Sequence, residues 1–248
     1  MNIAFYTAVS GMMTYQQDMD VLAHNMANVN TTGFKPLKSS FSDLLYSAMD
    51  TKVEGNHMTG HGVRSAATDL IFGQGPLEQT ANDMDFAIVG QGFFAVDRGG
   101  DQLEYTRNGA FSVSAERGRA YLVTLDGGYV LDERGRQIEL GFIGNSNVVD
   151  VEGIQERIGI YTFSNPYGLI PTDGGSFLET VISGEAQSAD RAGADALPNE
   201  LVQGALERSG VDMGQQMVDV IQSQRAFQIN ARILQTADEI EQVINNLR

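Results

Sequence analysis

The sequence contains no cysteine, and this absence excludes several kinds of chemistry at once. Disulfide bonds, thiolate catalysis and cysteine-ligated metal sites all need a residue that the chain does not have. Stability must therefore come from packing and from assembly. The same absence suits a protein that crosses an oxidising compartment without forming cross-links.

Histidine, positive charge and long apolar runs are also scarce. Three histidines are too few for a typical zinc site without cysteine, and the glycines around His57 and His61 argue against a helical ligand pair. The formal net charge of −16 disfavours nucleic acid and anionic membrane surfaces as partners. No apolar run approaches the roughly 18 residues of a membrane span, so we expect no membrane insertion.

The sequence shows no pattern typical of catalysis, cofactor binding or secretion. Paired carboxylates such as Asp83 with Asp85 fit an acidic surface better than a general acid and base. The glycine-rich segments do not continue into a dinucleotide-binding pattern. The first residues lack the pattern of a secretory signal, so export would need another route. The sequence predicts neither an enzyme nor a bound cofactor or metal.

Both ends of the chain have the periodicity of amphipathic helices. Apolar residues in 1–30 and in 211–248 recur at alternating steps of four and three. Each apolar stripe needs a partner, and because the stripes lie at opposite ends of the chain, we expect the two helices to pair. The first helix should end near Val29, and Ser209 or Asp212 should cap the start of the last one.

The middle of the chain has the pattern of short strands and turns. Residues 86–89 and 93–96 flank a glycine-containing bend, and residues 121–123 and 129–131 flank an Asp-Gly-Gly turn. Many short strands without a helical stretch predict an antiparallel β module. The apolar cluster between Phe41 and Met49 fits either a short helix or a strand.

The expected fold is therefore α+β, with long, coiled-coil-like paired terminal helices that carry a central antiparallel β domain. Residues 1–35 are predicted as the N-terminal helix of an inner assembly domain and residues 36–62 as an extended linker or hairpin region. Residues 63–198 are predicted as a β-rich outer domain, and 199–248 as the C-terminal helix of the inner domain. Near-neutral ends can pack against copies of themselves, whereas the acidic middle suits a solvent-facing position.

Two motifs near the ends resemble a known family. The stretch DVLAHNMANVNTTGFK, residues 20–35, is similar to the N-terminal signature of bacterial flagellar rod and hook proteins. The stretch MVDVIQSQRAFQIN, residues 217–230, resembles the C-terminal end of the same family. Segments 86–94 and 105–111 also resemble parts of its rod members. The similarity of residues 41–46 to the distal rod favours the distal over the proximal part of the rod, and the chain is short for a hook subunit.

The resemblance implies a structural subunit that polymerises through its terminal helices into a rigid hollow tube and transmits torque. It implies as partners copies of the chain, other rod and hook proteins, and the flagellar type III export apparatus. Its location would be the flagellar basal body. Four polar residues are candidates for satisfying polar groups between helices: Asn25, Asn28, Gln224 and Arg225. The apolar residues expected at the assembly interface are Phe5, Val9, Met12, Met19, Leu22, Met26, Phe227, Ile233, Ile240, Ile244 and Leu247.

The alternative is a free-standing β-domain binding module, or an adhesin, dimerised by its terminal helices. Exposed aromatic residues on a single β face would favour it. The candidates for such a face are Tyr121, Tyr129, Tyr161 and Tyr167.

Overall fold

The computed structural model describes residues 3–48, 58–100, 102–116, 118–141, 153–188 and 199–247. The chain divides into two compact units. The first comprises Met1–Ala27, Leu37–Leu70 and Asp212–Arg248, and the second comprises Asn28–Pro36 and Ile71–Val211. The chain therefore passes from one unit to the other four times.

The first unit contains both long helices and two pairs of antiparallel strands. The helices are α1 (Ile3–Ala27) and α2 (Met213–Asn246), and the strands are β1 (Leu37–Asp43), β2 (Tyr46–Ala48), β3 (Met58–Gly60) and β4 (Val63–Leu70). Strand β1 pairs with β4, and β2 pairs with β3. The apolar cluster that fitted either a helix or a strand thus lies in β1, β2 and their connection, although Met49 lies outside the described residues.

The ends of the helices follow local hydrogen bonding. Helix α2 begins after Asp212, whose Oδ1 accepts from the amides of Gly214 at 2.9 Å and Gln215 at 3.2 Å. The prediction of Asp212 as the N-cap is therefore confirmed. Helix α1 ends at Ala27, close to the expected position near Val29, and the Thr31 amide bonds to the carbonyl of Asn28 at 3.1 Å in the turn that follows.

The second unit is built from short antiparallel strands. They are β5 (Leu77–Gln79), β6 (Phe86–Val89), β7 (Phe93–Asp97), β8 (Glu104–Thr106), β9 (Phe111–Glu116), β10 (Arg119–Thr124), β11 (Tyr129–Val130), β12 (Glu139–Leu140), β13 (Ile160–Thr162), β14 (Ile170–Pro171), β15 (Ser176–Leu178), β16 (Gln187–Ser188), β17 (Glu200–Gln203) and β18 (Ala205–Glu207). Three short 3-10 helices, which the sequence did not predict, are Ile154–Glu156, Pro166–Gly168 and Asp173–Gly175.

Most of these strands form one ten-stranded sheet. The hydrogen-bonded order is β12, β10, β11, β7, β8, β15, β14, with β9 beside β10 and with β13 paired to both β7 and β16. Strand β17 pairs with β6, and β18 pairs with β5. The predicted hairpin is confirmed, because β10 and β11 meet at Val123 and Tyr129 across the Asp-Gly-Gly turn. Gly127 supplies the positive φ of 84° that this turn needs.

A buried cluster in the core of the second unit is apolar and mostly aliphatic, with three phenylalanines. Phe94 and Phe111 meet edge to face, with ring centroids 5.1 Å apart. Fully burying side chains of this size contributes about 1.5 to 3 kcal/mol each. The buried cluster consists of Phe86, Ile88, Phe94, Phe111, Ala120, Leu122, Val130, Ile138, Leu140, Ile154, Ile158 and Ile160. The predicted α+β layout, with terminal helices and a central antiparallel β domain, is confirmed.

Candidate assembly surface

Helices α1 and α2 run antiparallel within the first unit and exchange hydrogen bonds through polar side chains. Ser223 Oγ donates to Asp18 Oδ2 at 2.5 Å, and Asn25 Nδ2 donates to Gln216 Oε1 at 3.1 Å. The two contacts are seven residues apart on each helix. That spacing is two helical turns, so the contacts lie on the same side of each helix.

A third contact continues the same spacing toward the other end of α1. A Cβ atom built on Gly11 would lie 2.9 Å from Nδ2 of Asn230, so the glycine allows a close approach of the helices. We call the six residues of these contacts the polar seam: Gly11, Asp18, Asn25, Gln216, Ser223 and Asn230. Together they define a single antiparallel register.

Two members of the polar seam also bind strand β1. The Asn25 side chain, which is completely buried, donates to the carbonyl of Leu37 at 2.7 Å and accepts from its amide at 2.9 Å. Asp18 accepts a hydrogen bond from the hydroxyl of Ser39. Buried polar groups are costly unless they are bonded, and here both side chains have partners. The seam therefore connects both helices to the start of the strand pair.

Helix α2 presents a second surface that is apolar and uncovered in the single chain. We call it the outer stripe: Val218, Ile229, Ile233, Ile240, Val243 and Leu247. These side chains recur at steps of three, four, seven and eleven residues, so they lie on one side of the helix. Their exposed fractions range from 40% for Ile233 to 81% for Leu247. On α1, Ile3, Phe5, Tyr6 and Met13 are likewise exposed.

The interface residues expected from the sequence fall into three groups by burial. Leu22 and Asn25 are buried. The half-buried group consists of Val9, Met12, Met19, Met26, Asn28 and Phe227. The exposed group consists of Phe5, Gln224, Arg225, Ile233, Ile240, Ile244 and Leu247. The structure brings Asn25 into the polar seam, whereas Asn28 belongs to the second unit and forms a turn with Thr31.

Five members of the polar seam were missed by the sequence analysis. They are Gly11, Asp18, Gln216, Ser223 and Asn230. A search for apolar periodicity passes over small and polar residues. The signal that could have found them is the matched spacing of seven in both terminal segments.

The second unit contains a buried group of charged side chains that the sequence analysis also missed. Glu207 Oε1 accepts from Lys35 Nζ at 2.6 Å, and Glu207 Oε2 accepts from Arg107 Nη1 at 3.2 Å. The side chains of Lys35, Arg107 and Glu207 are 1%, 3% and 0% exposed. We call these three residues the Glu207 cluster. The guanidinium of Arg107 also lies 5.2 Å from the ring centroid of Phe93.

Burial dominates the electrostatics of this cluster. Desolvation lowers the pKa of Lys35, although the neighbouring Glu207 carboxylate opposes the shift. Desolvation lowers the pKa of Arg107 for the same reason, again against the effect of Glu207. Two cations and one carboxylate share the site, so the carboxylate offsets only part of the cost of burying the positive charge.

The tyrosines that would favour a binding module do not share one exposed face. Tyr121 and Tyr129 do meet edge to face on the sheet, with ring centroids 5.6 Å apart. Tyr161 is buried against Tyr105, and Tyr167 packs against Phe72.

The part of the chain that the structure describes contains no group of three or more His, Cys, Asp or Glu side chains arranged to bind a metal ion. None of its helices combines the length and the hydropathy that crossing a membrane requires. His57 lies outside the described residues.

Three family models match the chain in sequence order. A flagella basal body rod protein model matches residues 5–35, and a flagellar hook protein FlgE/F/G D1 domain model matches residues 87–155. A flagellar basal body rod FlgEFG protein C-terminal model matches residues 202–247. The first and last matches contain most of both long helices.

Individual relatives match over nearly the whole chain. The chain is 36% identical to the flagellar basal-body rod protein FlgG of Borreliella burgdorferi, covering 99% of this chain and 98% of that protein. It is 35% identical to FlgG of Bacillus subtilis with the same coverage. It is also 30% identical to the flagellar hook-basal body complex protein FlhP of Bacillus subtilis, covering 98% of each.

The chain therefore belongs to the family of flagellar basal-body rod and hook proteins. Within that family it is a FlgG-like rod protein, because relatives named FlgG match from end to end at 30–36% identity. Its role is structural and its location is the basal body of the flagellum. The predictions of a rod subunit and of a protein that is not an enzyme are confirmed by these relatives, and the binding-module alternative is not favoured.

Proposed function

We propose that the chain polymerises through its terminal helices into the rigid hollow tube of the distal flagellar rod, where it transmits torque. The observation that carries this proposal is the outer stripe, a row of exposed Ile, Val and Leu side chains on α2. A row of exposed apolar side chains of this kind is typical of interaction sites. The family of the chain supports the same interpretation.

We further propose that α1 and α2 pack as an antiparallel coiled coil within each subunit. The spacing of seven in the polar seam supports this packing. A polar residue in a helix seam fixes the register at some cost in stability. A seam built from small and polar residues leaves the larger apolar side chains of α2 available for neighbouring subunits.

The outer stripe then supplies the energy of assembly. Covering a Val, Ile or Leu side chain fully is worth about 1.5 to 3 kcal/mol, and these side chains are 40–81% exposed in the single chain. The occupant that we propose is a terminal helix of another copy. Residues of the expected interface that lie on or beside the stripe are Ile233, Ile240, Ile244 and Leu247.

This arrangement gives each unit of the chain a separate proposed role. The first unit, which holds both long helices and strands β1 to β4, would form the inner assembling part. The second unit, which includes residues 28–36 and 199–211, would form the outer β part. As partners we propose copies of the chain, other rod and hook proteins, and the flagellar type III export apparatus. The remaining interface residues that we propose are Phe5, Val9, Met12, Met19, Leu22, Asn25, Met26, Asn28, Gln224, Arg225 and Phe227.

The test is assembly of purified chain at rising concentration, followed by light scattering and electron microscopy. The unsubstituted chain should form tubes or helical oligomers, and the double variant Ile233→Ser, Ile240→Ser should remain monomeric. Leu125→Ser is the matched control, because Leu125 is 74% exposed but lies in the β10–β11 turn. Polymers of the double variant, or a monomeric unsubstituted chain at every concentration, would contradict the proposal.

A further inference from the structure

The carboxylate of Glu207 binds three segments that are far apart in the sequence. Besides Lys35 and Arg107, it accepts a hydrogen bond from the amide of Gly75, at 2.7 Å to Oε1. Lys35 Nζ in turn donates to the carbonyl of Gly73 at 2.7 Å. Every atom in these contacts belongs to the second unit.

The segments around Glu207 are those by which the chain enters and leaves the second unit. Residues 28–36 follow α1 and precede β1, residues from 71 onward follow β4, and residues up to 211 precede α2. All four passages between the units therefore begin or end in segments bound around this carboxylate. Packing alone does not explain why a charged side chain occupies that position.

Backbone hydrogen bonds join the same segments to one another. The amide of Gly33 donates to the carbonyl of Glu207 at 2.8 Å, and the amide of Gly210 donates to the carbonyl of Phe34 at 3.0 Å. The amide of Ile71 donates to the carbonyl of Pro36 at 2.9 Å. The connection after α1 is thus hydrogen-bonded both to the segment after β4 and to the segment before α2.

Stability alone does not account for a buried charge at this position. A buried ion pair is a weak source of stability, and well-packed apolar residues of similar volume are often as good or better. A buried carboxylate adds geometric specificity, because each of its hydrogen bonds requires a donor at a defined place. In the Glu207 cluster, two cations and one amide must be brought to one point before the charges are compensated.

We propose that Glu207 is a positioning residue that holds the connections to the helical unit together at one joint. Lys35 anchors the connection after α1, the Gly75 amide anchors the segment after β4, and Glu207 itself anchors the connection to α2. In a rod, where we propose that torque passes through the helices, load would enter the β unit through this joint. That last statement rests on the proposed function, whereas the joint itself is a property of the single chain.

The test is hydrogen exchange of the full-length chain, measured at a concentration at which it is monomeric. Glu207→Gln keeps the shape of the side chain and removes its charge. Lys35→Met is the milder second variant, because it leaves Glu207 paired with Arg107. Glu78→Gln is the matched control: Glu78 pairs with Arg208, the neighbour of Glu207, at 3.5 Å on the surface.

We expect the amides of the joint, those of Gly33, Ile71 and Gly210, to exchange about 5- to 150-fold faster in Glu207→Gln, the range for leaving a buried polar group unpaired. Core amides such as those of Leu122 and Val130 should keep their rates. In Lys35→Met the Gly33 and Gly210 amides should accelerate, and Glu78→Gln should change neither set.

Two results would overturn the proposal. Equal acceleration of joint and core amides would make Glu207 a general stabiliser of the unit, and unchanged joint amides would show that the cluster positions nothing. If Glu207→Gln does not fold, Lys35→Met decides by the same comparison. Because the experiment uses monomers, its failure is distinct from a failure of the chain to polymerise.

Discussion

Ser223 in α2 donates a hydrogen bond to Asp18 of α1 across 2.5 Å, although the two residues are 205 positions apart in the chain. The same carboxylate accepts from Ser39 at the start of the strand pair. One side chain thus joins both ends of the sequence and the segment that follows α1. The first unit depends on such long-range polar contacts as well as on apolar packing.

Replacing this carboxylate should weaken the first unit. Asp18→Ala removes the acceptor for two hydroxyl donors, and hydrogen bonds to charged groups contribute about 1.5 to 3 kcal/mol each. We expect the free energy of unfolding to fall by at least about 1.5 kcal/mol in urea denaturation followed by helical circular dichroism. Asp20→Ala is the control, since Asp20 is exposed on the same helix and should change stability by less than about 0.5 kcal/mol. Equal effects of the two substitutions would argue against the polar seam.

A glycine at the first connection should be intolerant of any side chain. Gly33 has φ of 70°, and a Cβ there would lie 2.7 Å from the backbone carbonyl carbon of Arg107. Gly135 has φ of 74° and no atom within 4 Å of the same position. Both alanine variants carry the strain of the left-handed region, about 1 to 2 kcal/mol. Gly33→Ala should lose about 1 to 3 kcal/mol more because of overpacking.

Thermal unfolding of the two glycine variants measures that difference directly. The comparison cancels the backbone strain, because the φ values are nearly the same. Similar melting temperatures for Gly33→Ala and Gly135→Ala would mean that the close approach at Gly33 is relieved by movement of the chain.

The β unit should lose stability in alkali through Tyr105. Burial raises the pKa of Tyr105, with Glu179 and Tyr161 acting in the same direction. The folded chain therefore retains the phenolic proton where the unfolded chain has lost it. The resulting stabilisation is complete below about pH 10, the ordinary pKa of tyrosine, and declines as the pH rises above that value.

Tyr105→Phe removes the ionising group and keeps the ring. We expect the free energy of unfolding to fall less in the variant than in the unsubstituted chain between about pH 9 and pH 11. This interval brackets the ordinary tyrosine pKa of about 10. Urea titrations at several pH values provide the measurement. The same pH slope in both proteins would show that Tyr105 does not control the alkaline limit.

Features encoded in local sequence were predictable. The β10–β11 hairpin rests on Asp126-Gly127-Gly128 between apolar segments, and the start of α2 rests on the carboxylate of Asp212. Both depend on residues that are close together in the chain. The family was also accessible, because its motifs are contiguous stretches.

Contacts between distant segments were not predictable in the same way. Lys35 stood in a recognised motif, but its partner Glu207 lies 172 residues away. Nothing in the local pattern of either residue separates a buried ion pair from two surface charges. The polar seam was missed because apolar periodicity does not reveal small and polar residues, although the spacing of these residues is regular.

The central claim, that the outer stripe of α2 is covered by another copy, can be tested with a single introduced thiol. The natural chain has no cysteine, so Ile240→Cys carries a unique reactive group at a position that is 56% exposed in the single chain. We expect its reaction with a soluble thiol reagent to slow by about tenfold or more on assembly, because reaction then requires opening of a packed contact. Leu125→Cys should react equally fast in monomer and polymer. Equal rates for Ile240→Cys before and after assembly would contradict the account.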